Sequence, residues 1–141
     1  MPAVERYVLD TSAVLTLTDQ EDGWKRVEEL LTEAKDGEVE VSICAVSLME
    51  LYYITLQEQG EDSAARLVSL VKSWPIRWIY PDERMLLLAG RFKAFHGLSF
   101  ADAVIAGAAK LHEAVLVHKD PEFEALGEEI DLLTLPYKGK S

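Results

Sequence analysis

Five short apolar runs punctuate this chain, and the longer stretches between them carry helical periodicity, a pattern that admits few folds. The runs are Arg6 to Leu9 (RYVL), Val39 to Ile43 (VEVSI), Ile76 to Tyr80 (IRWIY), Ala114 to Val117 (AVLV) and Asp131 to Leu135 (DLLTL). VEVSI alternates as a half-buried strand does, whereas AVLV is continuously apolar, as a strand covered on both faces is. Ser12 offers a cap for a short helix over Ala13 to Leu17. Gly23 to Ala34 sets Trp24, Val27, Leu30 and Leu31 at helical spacing before Asp36-Gly37 closes it. Val46 to Gln59 carries Leu48, Leu51, Tyr52 and Leu56 on one face, and Ala64 to Trp74 packs back through Leu67, Leu70 and Val71. Pro81, at a first helical position, opens a helix that runs to His96 and stops at Gly97. Phe100 to Leu111 is apolar nearly all round and is predicted to be the most buried helix. Strands alternating with helices predict an α/β fold whose mostly parallel central sheet is covered on both faces.

Four acids sit where apolar runs break off: Asp10, Glu50, Asp102 and Asp120, at separations of 40, 52 and 18 residues. A parallel sheet gathers strand ends and the helix starts that follow them on one edge, which is where such sheets bind ligands. Carboxylates crowded into a partly dry cleft repel one another by several kcal/mol at an effective dielectric of about 20. They therefore take up protons or bind a hard divalent cation, and the residues point to a metal-dependent phosphodiesterase.

Each acid also has a local explanation. Ser47-Leu48-Met49-Glu50 and Ser99-Phe100-Ala101-Asp102 fit the capping pattern S-x-x-E/D, Asp120-Pro121 fits an N-cap followed by proline, and Asp10 fits a cap for the turn into Ser12. Capping does not explain their joint placement on one sheet edge, and it is compatible with metal binding, because a helix N-terminus keeps a carboxylate ionised. Asp102 is also the only charge in a run of ten otherwise apolar residues, a poor position for an acid that merely meets solvent.

Composition sets the remaining bounds. A length of 141 residues predicts one domain, 1–141, with a polar tail over 136–141. The single cysteine, Cys44, excludes an internal disulfide framework and a cysteine-based zinc site and fits a reducing compartment. The first residues, MPAVERYVLDTSAVL, carry acids and no sustained apolar stretch, and no segment reaches the length of a membrane span. A cytoplasmic protein is therefore expected, with no membrane partner. The net charge of −11 opposes nucleic-acid binding, which rests on Lys and Arg neutralising phosphates. Four of those charges belong to the acids above and two divalent ions would return four, leaving about −7 over the rest of the surface.

Taken in order, YVLDTSAVL around Asp10, VSLMELYY around Glu50, LSFADAVIAGAA around Asp102 and LVHKDPEF around Asp120 resemble the PIN-domain ribonucleases, most closely the VapC-type toxins of toxin-antitoxin pairs. The resemblance covers essentially the whole chain. It implies a three-layer α/β/α domain, Mg²⁺ or Mn²⁺ as cofactor, and endonucleolytic cleavage of RNA. It implies that Asp10, Glu50, Asp102 and Asp120 form the acidic, metal-holding catalytic site, with Ser12 as a polar neighbour orienting Asp10 or a water. A small antitoxin partner in an apolar groove near Tyr52 and Leu67, and a homodimer, are implied as well. The chain departs from the family in having His118-Lys119 where a Thr or Ser often precedes the last acid. The resemblance further implies hydrolysis that needs no 2′-hydroxyl, with a 5′-phosphate and a 3′-hydroxyl as products; an ion held by the acids would supply activation of the attacking water.

A PIN nuclease of RNA maturation or turnover without an antitoxin, and a non-catalytic PIN-like binding module, share these motifs. Haloacid-dehalogenase phosphatases also begin with a strand ending in Asp, but they place a second Asp where this chain has Ser12. Arg84, Arg91, Lys93, Lys110 and Lys119 are candidates for a basic rim, against the simpler reading of a solvated helix face. His118 at a strand end is expected to be structural, and Trp24, Trp74 and Trp78 to be core or interface residues.

Overall fold

The computed structural model describes residues 3–139; positions 140 and 141 of the expected polar tail lie outside the described residues. Among these residues five strands form one sheet: β1 (Glu5–Leu9), β2 (Val39–Cys44), β3 (Arg77–Ile79), β4 (Val115–His118) and β5 (Leu132–Thr134). Their order is β3-β2-β1-β4-β5 and every pairing is parallel, so the expected parallel sheet is present and contains no antiparallel member among the described residues. Among the described residues, six helices cover it: α1 (Thr11–Thr18), α2 (Trp24–Lys35), α3 (Ala45–Gln59), α4 (Glu61–Lys72), α5 (Glu83–His96) and α6 (Phe100–Leu111), with a 3-10 turn over Pro121–Leu126.

The alternation of side chains along β1 divides the core. Tyr7 and Leu9 enter one apolar layer with Val27, Leu30, Leu31, Leu51 and Val71 of α2, α3 and α4. Val8 enters the opposite layer with Met85, Ala89 and Phe92 of α5, most of α6, and Phe123 and Leu126. The result is the three-layer α/β/α arrangement. Helix α6 is the most buried, with eight of its twelve residues, Asp102 included, shielded from solvent. Among the described residues no helix is long and apolar enough to cross a membrane.

Several helix starts differ from those expected, each for a local reason. Helix α1 begins at Thr11, before Ser12, because Asp10 at the end of β1 is the cap: its Oδ1 accepts from Ala13 N at 2.8 Å. Helix α5 begins at Glu83, because Asp82 accepts from Met85 N and leaves Pro81 outside the helix. Helix α4 begins at Glu61, directly after Gly60, whose φ of 93° turns the chain back from α3 in one residue. Glu61 and Asp62 then face the positive end of the helix dipole. Helix α3 starts at Ala45 on Cys44, with no side-chain cap, so Ser47 is buried inside the first turn and Glu50 lies a turn further on. The expected capping role of Ser47 is thereby overturned. Leu70, assigned to the packing face of α4, is 48% exposed.

Helices α5 and α6 approach closely at Gly107, where a Cβ would stand 3.1 Å from the Met85 carbonyl oxygen. Gly107→Val should destabilise the fold by about 2 kcal/mol, as overpacking of a filled core does. Urea unfolding followed by circular dichroism measures it, and an unchanged midpoint would mean that the helices part freely.

Candidate metal centre

The chain moves outward from β1 through β2 to β3, then returns to place β4 on the other side of β1. The crevice beyond the carboxyl ends of β1 and β4 is therefore the switch point of the sheet. Asp10 follows β1 directly, and Asp120 follows β4 by two residues. Asp10 N donates to Val117 O at 3.1 Å, holding the two strand ends together at the site. Asp102 comes from the first turn of α6 and Glu50 from the second turn of α3.

Each acid has a built setting. Ser12 Oγ donates to both Asp10 oxygens, at 2.7 and 2.8 Å, and accepts from Lys119 N at 2.9 Å, so one hydroxyl bridges the ends of β1 and β4. Thr11 Oγ1 donates to Glu50 Oε1 at 2.5 Å and lies 3.0 Å from Ser47 Oγ, which directs Glu50 toward β1. Asp120 Oδ1 accepts from Glu122 N at 2.9 Å, capping the 3-10 turn. Ser99 Oγ accepts from Asp102 N at 3.4 Å, whereas Ser99 N is taken by the Glu122 carboxylate. The reciprocal half of the expected capping box is therefore supplied by Glu122, and the Asp102 carboxylate is free to turn into the crevice.

Oxygen atoms of Asp102, Asp120 and Glu122 all lie within 4.8 Å of one another. Asp10 and Glu50 stand outside that tight group, with Asp10 close enough to feel the charges of Asp120, Glu50 and Asp102. Glu122 is the member sequence reasoning missed. Its signal was the segment DPEF: a proline immediately after a capping acid fixes a tight turn, which returns the next side chain toward that acid.

Burial pushes the Asp10 carboxyl up to about 7, against the lowering effect of Ser12 and the Ala13 amide and with help from Asp120 and Glu50. Burial likewise pushes Asp102 up to about 9, reinforced by hydrogen bonding and charge repulsion from Asp120, by Glu122 and by Asp10. Oxygen-only donors that repel one another and resist ionisation match a hard divalent ion, which relieves both penalties. The donor set therefore fits Mg²⁺ or Mn²⁺.

The expected rim cations fare differently. The Lys119 side chain is buried and pairs with Glu21 at 3.5 Å, and Lys110 binds Glu129 O near the far end of α6. Lys93 bonds Leu98 O and Arg91 lies over the Phe95 ring. His118 is wholly buried, 3.0 Å from Thr134 Oγ1, and burial lowers its pKa. Trp24, Trp74 and Trp78 are half-buried, and Tyr52 and Tyr53 are both exposed. Beside the acids lies a cleft of about 640 Å³ whose walls include Leu15, Ile54, Leu67 and Leu70, together with Glu58 and Arg66. Tyr52, expected to line this groove with Leu67, is not part of its walls, and the lining is mixed rather than apolar.

The family profile of the PIN domain matches residues 7–129. No curated protein matches the sequence. Among solved structures, VapBC2 from Rickettsia felis bound to a DNA fragment from the promoter is 20% identical, covers 93% of this chain and 99% of that one, and superposes with a TM-score of 0.75. DNA-bound VapBC from Salmonella typhimurium is 20% identical over 93% and 98% of the two chains, with a TM-score of 0.74. VapC20 from Mycobacterium tuberculosis, described as a sarcin-ricin loop cleaving toxin, is 19% identical over 86% and 95%, with a TM-score of 0.68. At such identities the likeness establishes a shared fold.

The acids also set a pH dependence. Both Asp10 and Asp102 hold protons in the folded state that the unfolded chain releases above about pH 4. Their contribution to stability is full below that pH and is lost as the pH rises through about 7 and about 9. Asp102→Asn, a mimic of the protonated acid, should raise the Tm of metal-free protein at pH 8 by roughly 5 °C and by clearly less at pH 5. Mn²⁺ should raise the wild-type Tm at pH 8 and leave that of the variant in place. Calorimetry at the two pH values, with EDTA or Mn²⁺, checks both; equal melting of the two proteins at pH 8 would show that Asp102 ionises without penalty.

Proposed function

This chain belongs to the PIN-domain family, and from that premise we propose that it is a divalent-metal-dependent endoribonuclease and the toxin of a VapBC-type toxin-antitoxin pair. The observation that carries the reading is the convergence of Asp102, Asp120 and Glu122 oxygens beside the buried Asp10 carboxylate at the sheet's switch point. Asp10, Asp102 and Asp120 would hold Mg²⁺ or Mn²⁺, with Glu50 and Glu122 completing the acidic set. An ion held there supplies charge neutralisation and Lewis acidity for phosphodiester hydrolysis.

The chain's own groups do the positioning. Ser12 fixes the plane of Asp10 by donating to both oxygens, and Thr11 fixes Glu50 through its single short bond. The buried strand ends of β1 and β4 keep water from the back of the site. Hydrolysis by this route places the 5′-phosphate on the downstream product and leaves a 3′-hydroxyl upstream.

Partners follow from the surface. The cleft between α1, α3 and α4 opens beside Ser12 and Lys119, and its mixed lining, with Leu15, Ile54 and Leu67 beside Asp19, Glu21 and Glu58, suits an antitoxin segment that carries both apolar and basic side chains. The solved VapBC assemblies of similar fold support such a partner. Leu86 and Phe100, both exposed, flank an apolar hollow between α5 and α6 that suits a second copy of the chain. Action on RNA of its own cell places the protein in the cytoplasm.

The test is incubation of a structured RNA pool with purified protein and Mn²⁺, beside EDTA and Asp102→Asn controls, with end-group analysis. Cleavage should require the ion, leave 5′-phosphates, and fall by more than about a hundredfold in the variant, beyond what loss of a supporting partner costs. Cyclic-phosphate termini, or cuts that persist in EDTA, would overturn the proposal.

A further inference from the structure

The last acid of the site follows a histidine that no solvent reaches, and the geometry around that ring does more than fill space. His118 closes β4 with an imidazole that is 0% exposed. Its Nδ1 accepts from the Asp120 backbone N–H at 3.1 Å, and its Nε2 lies 3.0 Å from Thr134 Oγ1 on β5. A backbone amide can only donate, so Nδ1 must be the unprotonated nitrogen and Nε2 the one that carries the proton toward Thr134. The ring is held as a single tautomer from both sides.

The same ring packs edge-on against Phe123, with centroids 5.2 Å apart. Phe123 N donates to Asp120 O, and Asp120 Oδ1 accepts from Glu122 N, so ring, amide and 3-10 turn form one rigid unit. That unit presents the Asp120 and Glu122 carboxylates to Asp102. We infer that His118 is a positioning residue for this acid cluster: a buried neutral acceptor whose hold on the Asp120 amide sets the direction of both the Asp120 and the Glu122 carboxylates. The inference rests on the proposed metal site, and it assigns no proton transfer to the ring.

Two substitutions separate an acceptor from a mere filler. In His118→Asn the side-chain oxygen takes the place of Nδ1 and still accepts from Asp120 N. In His118→Gln the polar atoms reach the Nε2 position, and the Asp120 amide loses its partner. Mn²⁺ titration by calorimetry should give His118→Asn an affinity within about threefold of wild type. His118→Gln should bind about 10–100-fold more weakly, the usual cost of losing a group that orients a ligand, while its circular dichroism spectrum remains that of the wild type.

Independently of any variant, ¹⁵N NMR of the metal-free wild type should show His118 as the Nε2–H tautomer. Undiminished Mn²⁺ binding by His118→Gln, a loss in His118→Asn as large as in His118→Gln, or the Nδ1–H tautomer in the wild type would each overturn the inference. Wild-type protein that binds no Mn²⁺ would sink the metal-site reading and this inference with it, whereas the first three outcomes leave that reading intact.

Discussion

Repulsion between carboxylates held at the carboxyl ends of β1 and β4 is the constraint around which the rest of the molecule is arranged. Burying one ionised carboxylate without a partner is costly, and bringing several together raises the cost with each addition. The fold nevertheless buries Asp10 behind α1 and Asp102 in the first turn of α6. Local donors offset part of that cost: the Ser12 hydroxyl and Ala13 amide for Asp10, and the Glu122 amide for Asp120. They do not cancel it, since Asp10 and Asp102 both remain well above the ordinary carboxylate range. A protein under selection for stability alone would replace such acids with their amides. Retaining them makes sense where the missing charge is supplied from outside.

The sheet topology explains why these residues, far apart in the chain, share one crevice. Because β4 lies beside β1 and not beside β3, the turn after β1 and the turn after β4 become neighbours, and Ser12 bridges them through Lys119 N. The two apolar layers then aim α3 and α6 so that their N-terminal turns overhang the same crevice. Stability and site geometry are thus coupled through the packing of α6. Its small residues, Ala103 to Ala109 broken only by Val104 and Ile105, let it sit deep enough to bring Asp102 over the strand ends.

Much of this was legible in the sequence because strands and helices announce themselves through period, and the period survives local detail. Phe100 to Leu111 is bounded in the structure as its apolar run and the Ser99 cap predict. What the sequence hid were competitions between neighbouring capping groups. Asp10 takes the cap that Ser12 was expected to supply, Asp82 displaces Pro81, and Cys44 starts α3 ahead of Ser47, each decided by where the preceding strand or loop releases the chain. Glu122 was hidden for another reason. DPEF marks the tight turn after Asp120, but the direction of Glu122 also depends on its bond to the Ser99 amide of a segment 23 residues away, a tertiary partner that turn chemistry alone does not name. Lys119 was misjudged on the same ground, since its proximity to the acids in sequence gave no hint that Glu21 would claim its charge.

The fate of Lys119 bears on how a chain of net charge −11 could meet a polyanion. Lys119 and Lys138 share the single charge of Glu21, so part of the positive charge beside the cleft is engaged within the protein, and Arg66 bonds the Ser63 hydroxyl. Simple attraction to phosphate is therefore weak at this surface, and long-range steering of RNA would be unfavourable at low ionic strength. Under the proposed function, recognition would depend on charge brought by divalent ions and on the shape of the substrate presented to the crevice. Affinity for RNA would then rise with ion loading and respond little to monovalent salt. Under the same proposal, an electronegative crevice would attract a cationic protein segment without any ion, which would give a basic antitoxin side chain an electrostatic advantage over the substrate whenever the acids stand uncompensated.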